Sequence, residues 1–173
     1  MRRPSLRRHV NHSVQVKHTF DVPVENVWEV FVDHTSWNEW ADQGVIKIEQ
    51  TGSPTPNGVG CIKVTTSVGG DTTVEEVVGF EPIERLAYIV REGGYWTTDH
   101  THEVFFDKGP NGKGCVVTWR CRFEPMVVGS GWIIENMVDK NYRTVLQLLE
   151  DYLSRSVPLD ASGSDLVSGW EVV

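Results

Sequence analysis

Two histidines separated by one residue form the clearest chemical pattern in the sequence. They are His100 and His102, within residues 99–103. On a β-strand, residues two apart project from the same face, so both imidazoles share a face with Val104 and Phe106. Paired imidazoles of this kind orient a bound molecule, transfer protons, supply part of a metal site, or simply pack in a core.

The residue types leave several roles open for this pair. A catalytic interpretation uses His100 or His102 as general base on an acidic C–H or phenolic proton, with Tyr88 donating a hydrogen bond to the developing enolate. A metal site built on the two histidines requires a third ligand, for which Glu92 and Glu76 are candidates. Because no third ligand is fixed by spacing, we expect no metal, and structural or ligand-orienting histidines remain the simpler interpretations.

Other catalytic and cofactor motifs are missing from the sequence. It contains no GxSxG turn, no phosphate-binding glycine loop and no dinucleotide fingerprint, so we expect no cofactor. With 16 Lys and Arg against 24 Asp and Glu, the net charge of −8 disfavours nucleic acid as a partner. No apolar run approaches the roughly 18 residues that span a bilayer, so we expect no stable membrane insertion and a cytoplasmic location. A monomer and a homodimer both remain open.

Hydrophobic periodicity predicts the elements that position these groups. Alternation predicts a strand at 14–20, and Pro23 then introduces a helix whose apolar stripe ends near Asp33. Ser36 and Glu39 resemble a capping box, which predicts a second short helix that carries Trp37 and Trp40. The simplest role of these two tryptophans and Trp28 is to close the open end of a sheet.

From residue 45 onward the apolar period is two. Turn signals divide this region into six predicted strands at 45–51, 59–68, 72–80, 84–92, 97–107 and 115–124. Their short connections imply an antiparallel meander. Ser130 is the predicted N-cap of a long helix over 132–155, with Ile134, Val138, Val145, Leu149 and Tyr152 on one face.

Several segments are similar to a known protein group. They are Val-Pro-Val-Glu-Asn-Val-Trp-Glu-Val-Phe at 22–31, Trp-Asn-Glu-Trp at 37–40, Gly-Val-Gly at 58–60, Val-Val-Gly-Phe-Glu-Pro at 77–82, Arg-Leu-Ala-Tyr at 85–88 and Val-Thr-Trp at 117–119. Together they resemble the polyketide cyclase/dehydrase and lipid-transport group of the START-like (SRPBCC) superfamily, over about residues 14–155.

The resemblance implies an α+β helix-grip fold of the START/Bet v 1 type. In this fold a seven-stranded antiparallel sheet wraps around the long C-terminal helix, and two short helices follow strand 1. We expect this domain to cover residues 13–156, between a flexible basic leader at 1–12, which contains Arg2, Arg3, Arg7 and Arg8, and a flexible tail at 157–173, in which Trp170 is the one anchor.

The resemblance also implies a cavity between the sheet and the long helix. Strand alternation places Leu86, Tyr88, Val90 and Glu92 on one face of their strand, and Val117, Trp119, Cys121 and Phe123 on one face of theirs. The predicted ligand contacts are Trp28, Tyr88, Val90, Glu92, Trp96, His100, His102, Trp119, Cys121, Met137, Asn141 and Val145.

Three classes of function remain open. The leading hypothesis is a protein that binds a small hydrophobic molecule, aromatic, polyketide-like or lipid-like, in an internal cavity. The second is a cyclase, aromatase or dehydratase that uses the cavity His and Tyr side chains as acid and base. The third is an interaction module whose core is filled and whose leader or tail contacts a partner.

Overall fold

Seven antiparallel strands form one sheet in the computed structural model, which describes residues 11–156. They are β1 (His12–Phe20), β2 (Val45–Gln50), β3 (Ile62–Thr66), β4 (Thr72–Glu81), β5 (Arg85–Gly93), β6 (Thr97–Lys108) and β7 (Cys115–Pro125). The order across the sheet is β1-β7-β6-β5-β4-β3-β2. The predicted meander of six strands is therefore confirmed, and the first strand joins it by pairing with the last.

Two short helices connect β1 to β2, namely α1 (Val24–Val32) and α2 (Trp37–Trp40). α1 begins directly after Pro23 and buries one apolar stripe, as the spacing predicts. The capping box predicted at Ser36 is wrong, because Ser36 already has helical dihedral angles and makes no capping hydrogen bond. Its hydroxyl instead lies 2.8 Å from the Asp33 carbonyl and accepts a hydrogen bond from Trp40 Nε1 at 3.2 Å.

The long helix α3 (Gly131–Ser156) is confirmed, and it extends one residue beyond each end of the predicted range 132–155. The Ser130 hydroxyl donates to the Val127 carbonyl at 2.8 Å, so this side chain stabilises the turn before the helix. The predicted stripe of α3 is confirmed, with Tyr152 half-buried and the rest buried, and Tyr142, Leu146 and Leu153 are buried as well.

α3 packs against β1 and β7, at one side of the sheet. Two side-chain pairs join it to β1: His12 Nδ1 lies 2.9 Å from Glu135 Oε1, and His18 Nε2 lies 3.0 Å from Glu150 Oε2. At 1.5 Å per residue, a helix of 26 residues is about 39 Å long. Because its contacts are with β1 and β7, the helix does not cover β3, β4 and β5 closely.

Side-chain alternation on β6 and β7 follows the prediction. His100, His102, Val104 and Phe106 are all buried, and the residues between them are exposed or half-buried. On β7, Val117, Trp119, Cys121 and Phe123 are buried, whereas Arg120 and Arg122 are exposed. Both imidazoles therefore belong to the inner face of the sheet.

Two predicted segments lie outside the described residues. These are residues 1–10 of the basic leader and the whole tail at 157–173, including Trp170. His12, assigned to the leader, is the first residue of β1. Among residues 11–156, no helix combines the length and the apolar character needed to cross a bilayer.

We expect Leu149→Ala to lower the free energy of unfolding by about 2–5 kcal/mol, because the Leu149 side chain is fully buried and its removal leaves a cavity. Leu148→Ala is the matched control on the same helix, where the leucine is only half-buried and a loss of about 1 kcal/mol is expected. Urea unfolding measures both, and equal losses would contradict the burial of this face of α3.

Candidate ligand cavity and its polar groups

A cavity of about 770 Å³ lies between α3 and the inner face of the sheet. Strands β2 to β7 all contribute residues to its walls, and so does one side of α3. It exists because α3 packs close to β1 and β7 and leaves the inner faces of β3, β4 and β5 without close helical cover.

The cavity opens at the end where α3 begins. Three apolar lining residues there are also solvent-exposed: Trp96 by 75%, Met137 by 50% and Ile133 by 45%. Exposed apolar side chains that lie together are uncommon on a protein surface, and here they border the opening of the cavity.

Most of the predicted contact residues line this cavity. They are Tyr88, Val90, Trp96, His100, His102, Trp119, Met137, Asn141 and Val145. Trp28 and Cys121 do not. Trp28 packs edge-on against Phe80 and Phe106 at 5.2 and 5.1 Å between ring centroids, so it joins α1 to the core of the sheet. Cys121 is buried on β7, directly opposite His102 in the strand ladder.

Glu92 also lies outside the cavity, and a β-bulge explains why. Glu75 on β4 faces Val90 on β5, and Val74 faces Glu92, so Arg91 has no partner in the ladder. One extra residue in a strand reverses the faces of all residues beyond it. Glu92 is therefore on the exposed side, and simple alternation from Tyr88 gives the wrong face for it.

Buried aromatic rings and imidazoles form a stack on the inner wall. His102 lies between Tyr88 and His100, with ring centroids 4.4 Å apart on each side. Trp119 stacks on Tyr142 at 4.0 Å and donates from Nε1 to the Tyr88 hydroxyl at 3.1 Å. This network holds each of the five rings in a defined position around the cavity.

His102 and Tyr142 form a short hydrogen bond, with 2.6 Å between Nδ1 and the hydroxyl oxygen. His100 Nδ1 lies 3.1 Å from the Thr97 hydroxyl, which itself donates to the Tyr95 carbonyl at 3.2 Å. Since a hydroxyl has one hydrogen, Thr97 accepts from His100, and this assignment leaves His100 Nε2 as the unprotonated nitrogen. Nε2 of both histidines is buried without a hydrogen-bond partner among the described residues.

Burial keeps the rings of this wall uncharged at neutral pH. It lowers the pKa of His100 from 6.5 to about 4. Burial also lowers the pKa of His102, and the charges of His100 and Lys63 lower it further. The pKa values of Tyr88 and Tyr142 are raised, first by burial and then by neighbouring groups. Both imidazoles are thus neutral bases and both phenols are protonated.

An ion pair inside the cavity is the main feature that the sequence did not reveal. Lys63 on β3 and Glu75 on β4 are directly opposite each other, and Lys63 Nζ lies 3.1 Å from Glu75 Oε2. Both side chains line the cavity. Alternation favours Ile62 and Val64 as the inner residues of β3, but these are only half-buried and Lys63 is buried.

Tyr142 was also missed, although a signal for it exists. It lies four residues after Val138 and three before Val145, on the same buried stripe of α3.

His34 is a third residue that the sequence analysis missed. It is fully buried, and neither ring nitrogen has a hydrogen-bond partner within the described chain. Burial and then the charge of Lys63 lower the pKa of His34.

Neither carboxylate suggested as a metal ligand reaches the two cavity histidines. Glu92 is on the exposed side of β5, and the Glu76 carboxylate forms a hydrogen bond and an ion pair with Arg91. Within residues 11–156, no three His, Cys, Asp or Glu side chains form a group that could hold a metal ion. Cys61, Cys115 and Cys121 are buried free thiols.

Known proteins resemble this chain along most of its length. The family described as "Polyketide cyclase / dehydrase and lipid transport" matches residues 11–154. An uncharacterized protein of Mycobacterium tuberculosis is 30% identical over 105 residues, which cover 60% of this chain. The alignment covers 61% of the mycobacterial protein, and about two fifths of that protein lies outside the aligned region.

Solved structures share the fold at low sequence identity. The protein XoxI from Bacillus cereus superposes with a TM-score of 0.70 at 17% identity, covering 85% of this chain and 99% of XoxI. A START superfamily protein from Mycobacterium smegmatis gives 0.70 at 11% identity, covering 84% of this chain and 99% of that protein. The family match runs from β1 to the last turn of α3, and the chain therefore belongs to the polyketide cyclase/dehydrase and lipid transport family, with a START-like helix-grip fold.

Proposed function

We propose that this protein binds a small hydrophobic molecule, of an aromatic, polyketide-like or lipid-like class, in the cavity between its sheet and α3. The observation that carries the proposal is the cavity itself, about 770 Å³ in volume and open at the end near Trp96. Pockets for small molecules have volumes of roughly 300–1,000 Å³ and are lined mainly by apolar and aromatic groups. The membership of the chain in a family described by lipid transport and polyketide chemistry supports the same class of ligand.

The walls favour a flat or aromatic ligand. Tyr88, Trp119 and Tyr142 are held in fixed orientations by stacking and by the Trp119 to Tyr88 hydrogen bond. Rings that are already ordered lose little conformational entropy when a ligand stacks on them or contacts their edges. Val90, Val138 and Val145 supply the aliphatic part of the lining.

A second candidate function is proton transfer on a bound substrate, as in a cyclase, aromatase or dehydratase. The short bond between His102 and Tyr142 favours it, because it holds a neutral imidazole in one orientation. In this hypothesis His100 or His102 removes a proton next to a substrate carbonyl, and the Tyr88 hydroxyl donates to the resulting enolate oxygen. The proton then returns from the imidazolium to the product.

Blocking the cavity is the direct test of binding. We expect Asn141→Trp to weaken the binding of the neutral dye Nile red at least about tenfold, because an indole at this half-buried lining position occupies the ligand space. Asn136→Trp is the matched control, since Asn136 is an exposed residue of the same helix outside the cavity. Fluorescence titration measures both affinities, and an unchanged affinity in Asn141→Trp would contradict the proposal.

Proton transfer has a separate test that needs no knowledge of the natural substrate. The wild-type protein is expected to accelerate deuterium exchange next to the carbonyl of 2-tetralone in D₂O, followed by NMR. His102→Gln is expected to reduce that acceleration by about 10²–10⁴-fold, the usual contribution of a general base. No acceleration by the wild-type protein would reject the second candidate and leave the binding proposal intact.

The buried histidines make stability depend on pH. Because the pKa of His100 is about 4 in the folded protein and near 6.5 when unfolded, protons bind preferentially to the unfolded chain below pH 6.5. The unfolding free energy is therefore complete above pH 6.5 and decreases toward pH 4. We expect His100→Gln to reduce the loss between pH 7 and pH 5 by about 2 kcal/mol, measured by urea unfolding. An identical pH dependence in the variant and the wild type would contradict this assignment.

A further inference from the structure

The ion pair between Lys63 and Glu75 is buried at the wall of the cavity. The exposed fractions of the two side chains are 4% and 14%. Lys63 Nζ lies 4.8 Å from the centre of the Tyr88 ring and 5.1 Å from that of Trp37. The ammonium group is thus fixed between one carboxylate and two ring faces, and it lines the space in which a ligand would lie.

Fold stability does not explain this pair. Desolvation of two charges costs about as much as their attraction returns, and apolar replacements of buried ion pairs are often neutral or stabilising. An ammonium group has three N–H donors and a carboxylate has about four acceptor sites. Among residues 11–156, the ion pair with Glu75 is the one polar side-chain contact of the Lys63 ammonium, so both groups retain capacity for a further polar partner.

The pair also determines which ligand charge can be accommodated in the inner cavity, the part of the cavity next to Lys63 and Glu75. The neighbouring imidazoles of His100 and His102 are neutral, and so is the phenol of Tyr88. Asp71, the other charged lining residue, is exposed at the edge of the cavity and is screened by water. The inner cavity therefore holds one positive and one negative charge, and a ligand carboxylate would introduce an uncompensated charge close to Glu75.

A neutral oxygen avoids this cost. A carbonyl or hydroxyl oxygen can accept a hydrogen bond from the Lys63 ammonium, and a hydroxyl can also donate to Glu75. Hydrogen bonds to charged groups are about twice as strong as those between neutral groups, so this contact adds affinity without adding charge.

We propose that Lys63 and Glu75 form the polar recognition site of the cavity and select an aromatic ligand with a neutral hydroxyl or keto group over the corresponding carboxylate. This inference rests on the proposed binding function. It goes beyond that function by naming the polar group of the ligand and the residues that recognise it. Glu75 is the specificity-determining residue, since its negative charge is what excludes a second anion.

Three naphthalene probes test the selection at pH 7 by isothermal titration calorimetry. They are 2-naphthol, 2-naphthoate and naphthalene, which share one ring system and differ only in the polar group. The wild-type protein is expected to bind 2-naphthol at least about tenfold more tightly than 2-naphthoate, and more tightly than naphthalene.

Glu75→Gln leaves the charge of Lys63 without a negative partner and is expected to reverse the preference in favour of 2-naphthoate. Glu76→Gln is the matched control, because it is the same substitution one residue along β4 in an ion pair with Arg91 outside the cavity, and it is expected to retain the wild-type preference. Circular dichroism and thermal melting verify that each variant is folded.

The outcomes separate the two proposals. If the protein binds naphthalene and 2-naphthol but Glu75→Gln still prefers 2-naphthol over 2-naphthoate, the recognition site is overturned and the binding function stands. If the wild-type protein binds none of the three probes, both proposals are overturned. If Glu75→Gln does not fold, the double variant Lys63→Met with Glu75→Gln decides the question. It is expected to bind 2-naphthol and naphthalene with similar affinity, and a retained preference for 2-naphthol would reject the role of the pair.

Discussion

The packing of α3 beside β1 and β7 is the constraint on which the rest of the structure depends. Buried apolar residues and the His12–Glu135 and His18–Glu150 contacts hold the helix on that side of the sheet. A sheet of seven strands is wider than one helix, so part of its concave face remains without close cover. The hollow is therefore a consequence of where the helix packs, and it does not require a special cavity-forming motif.

The polar groups of the cavity can remain buried because most of them are neutral and because the two charges compensate each other. His102 Nδ1 and the Tyr142 hydroxyl form a hydrogen bond with each other, and the Tyr88 hydroxyl accepts one from Trp119 Nε1. Among the described residues, the remaining Nε2 atoms are buried without a hydrogen-bond partner, and the Lys63 ammonium has only its ion pair with Glu75. Leaving such groups unpaired is costly in a core, whereas a binding site gains affinity when a ligand pairs them.

Much of the fold follows directly from the sequence, and the candidate site follows from it in part. Every second residue from His100 to Phe106 on β6 is buried, and so is every second residue from Val117 to Phe123 on β7, so the inward direction of His100 and Trp119 was predictable. Lys63 was not, because it lies between Ile62 and Val64 and periodicity assigns the charged residue to the outside. Its burial depends on an acidic partner from the next strand, and a pairing register between two strands is a tertiary property that no local pattern contains.

The bulge at Arg91 shows how a single backbone feature sets the chemistry of the cavity. Glu75, Glu76 and Glu92 lie close together on β4 and β5, yet only Glu75 lines the hollow. With regular pairing, alternation from Tyr88 through Val90 would place Glu92 on the inner face beside Glu75, and the cavity would carry a net negative charge. The extra residue moves Glu92 outward, and Arg91 pairs with Glu76 on the outside. The net charge of the inner cavity thus depends on a one-residue irregularity in β5.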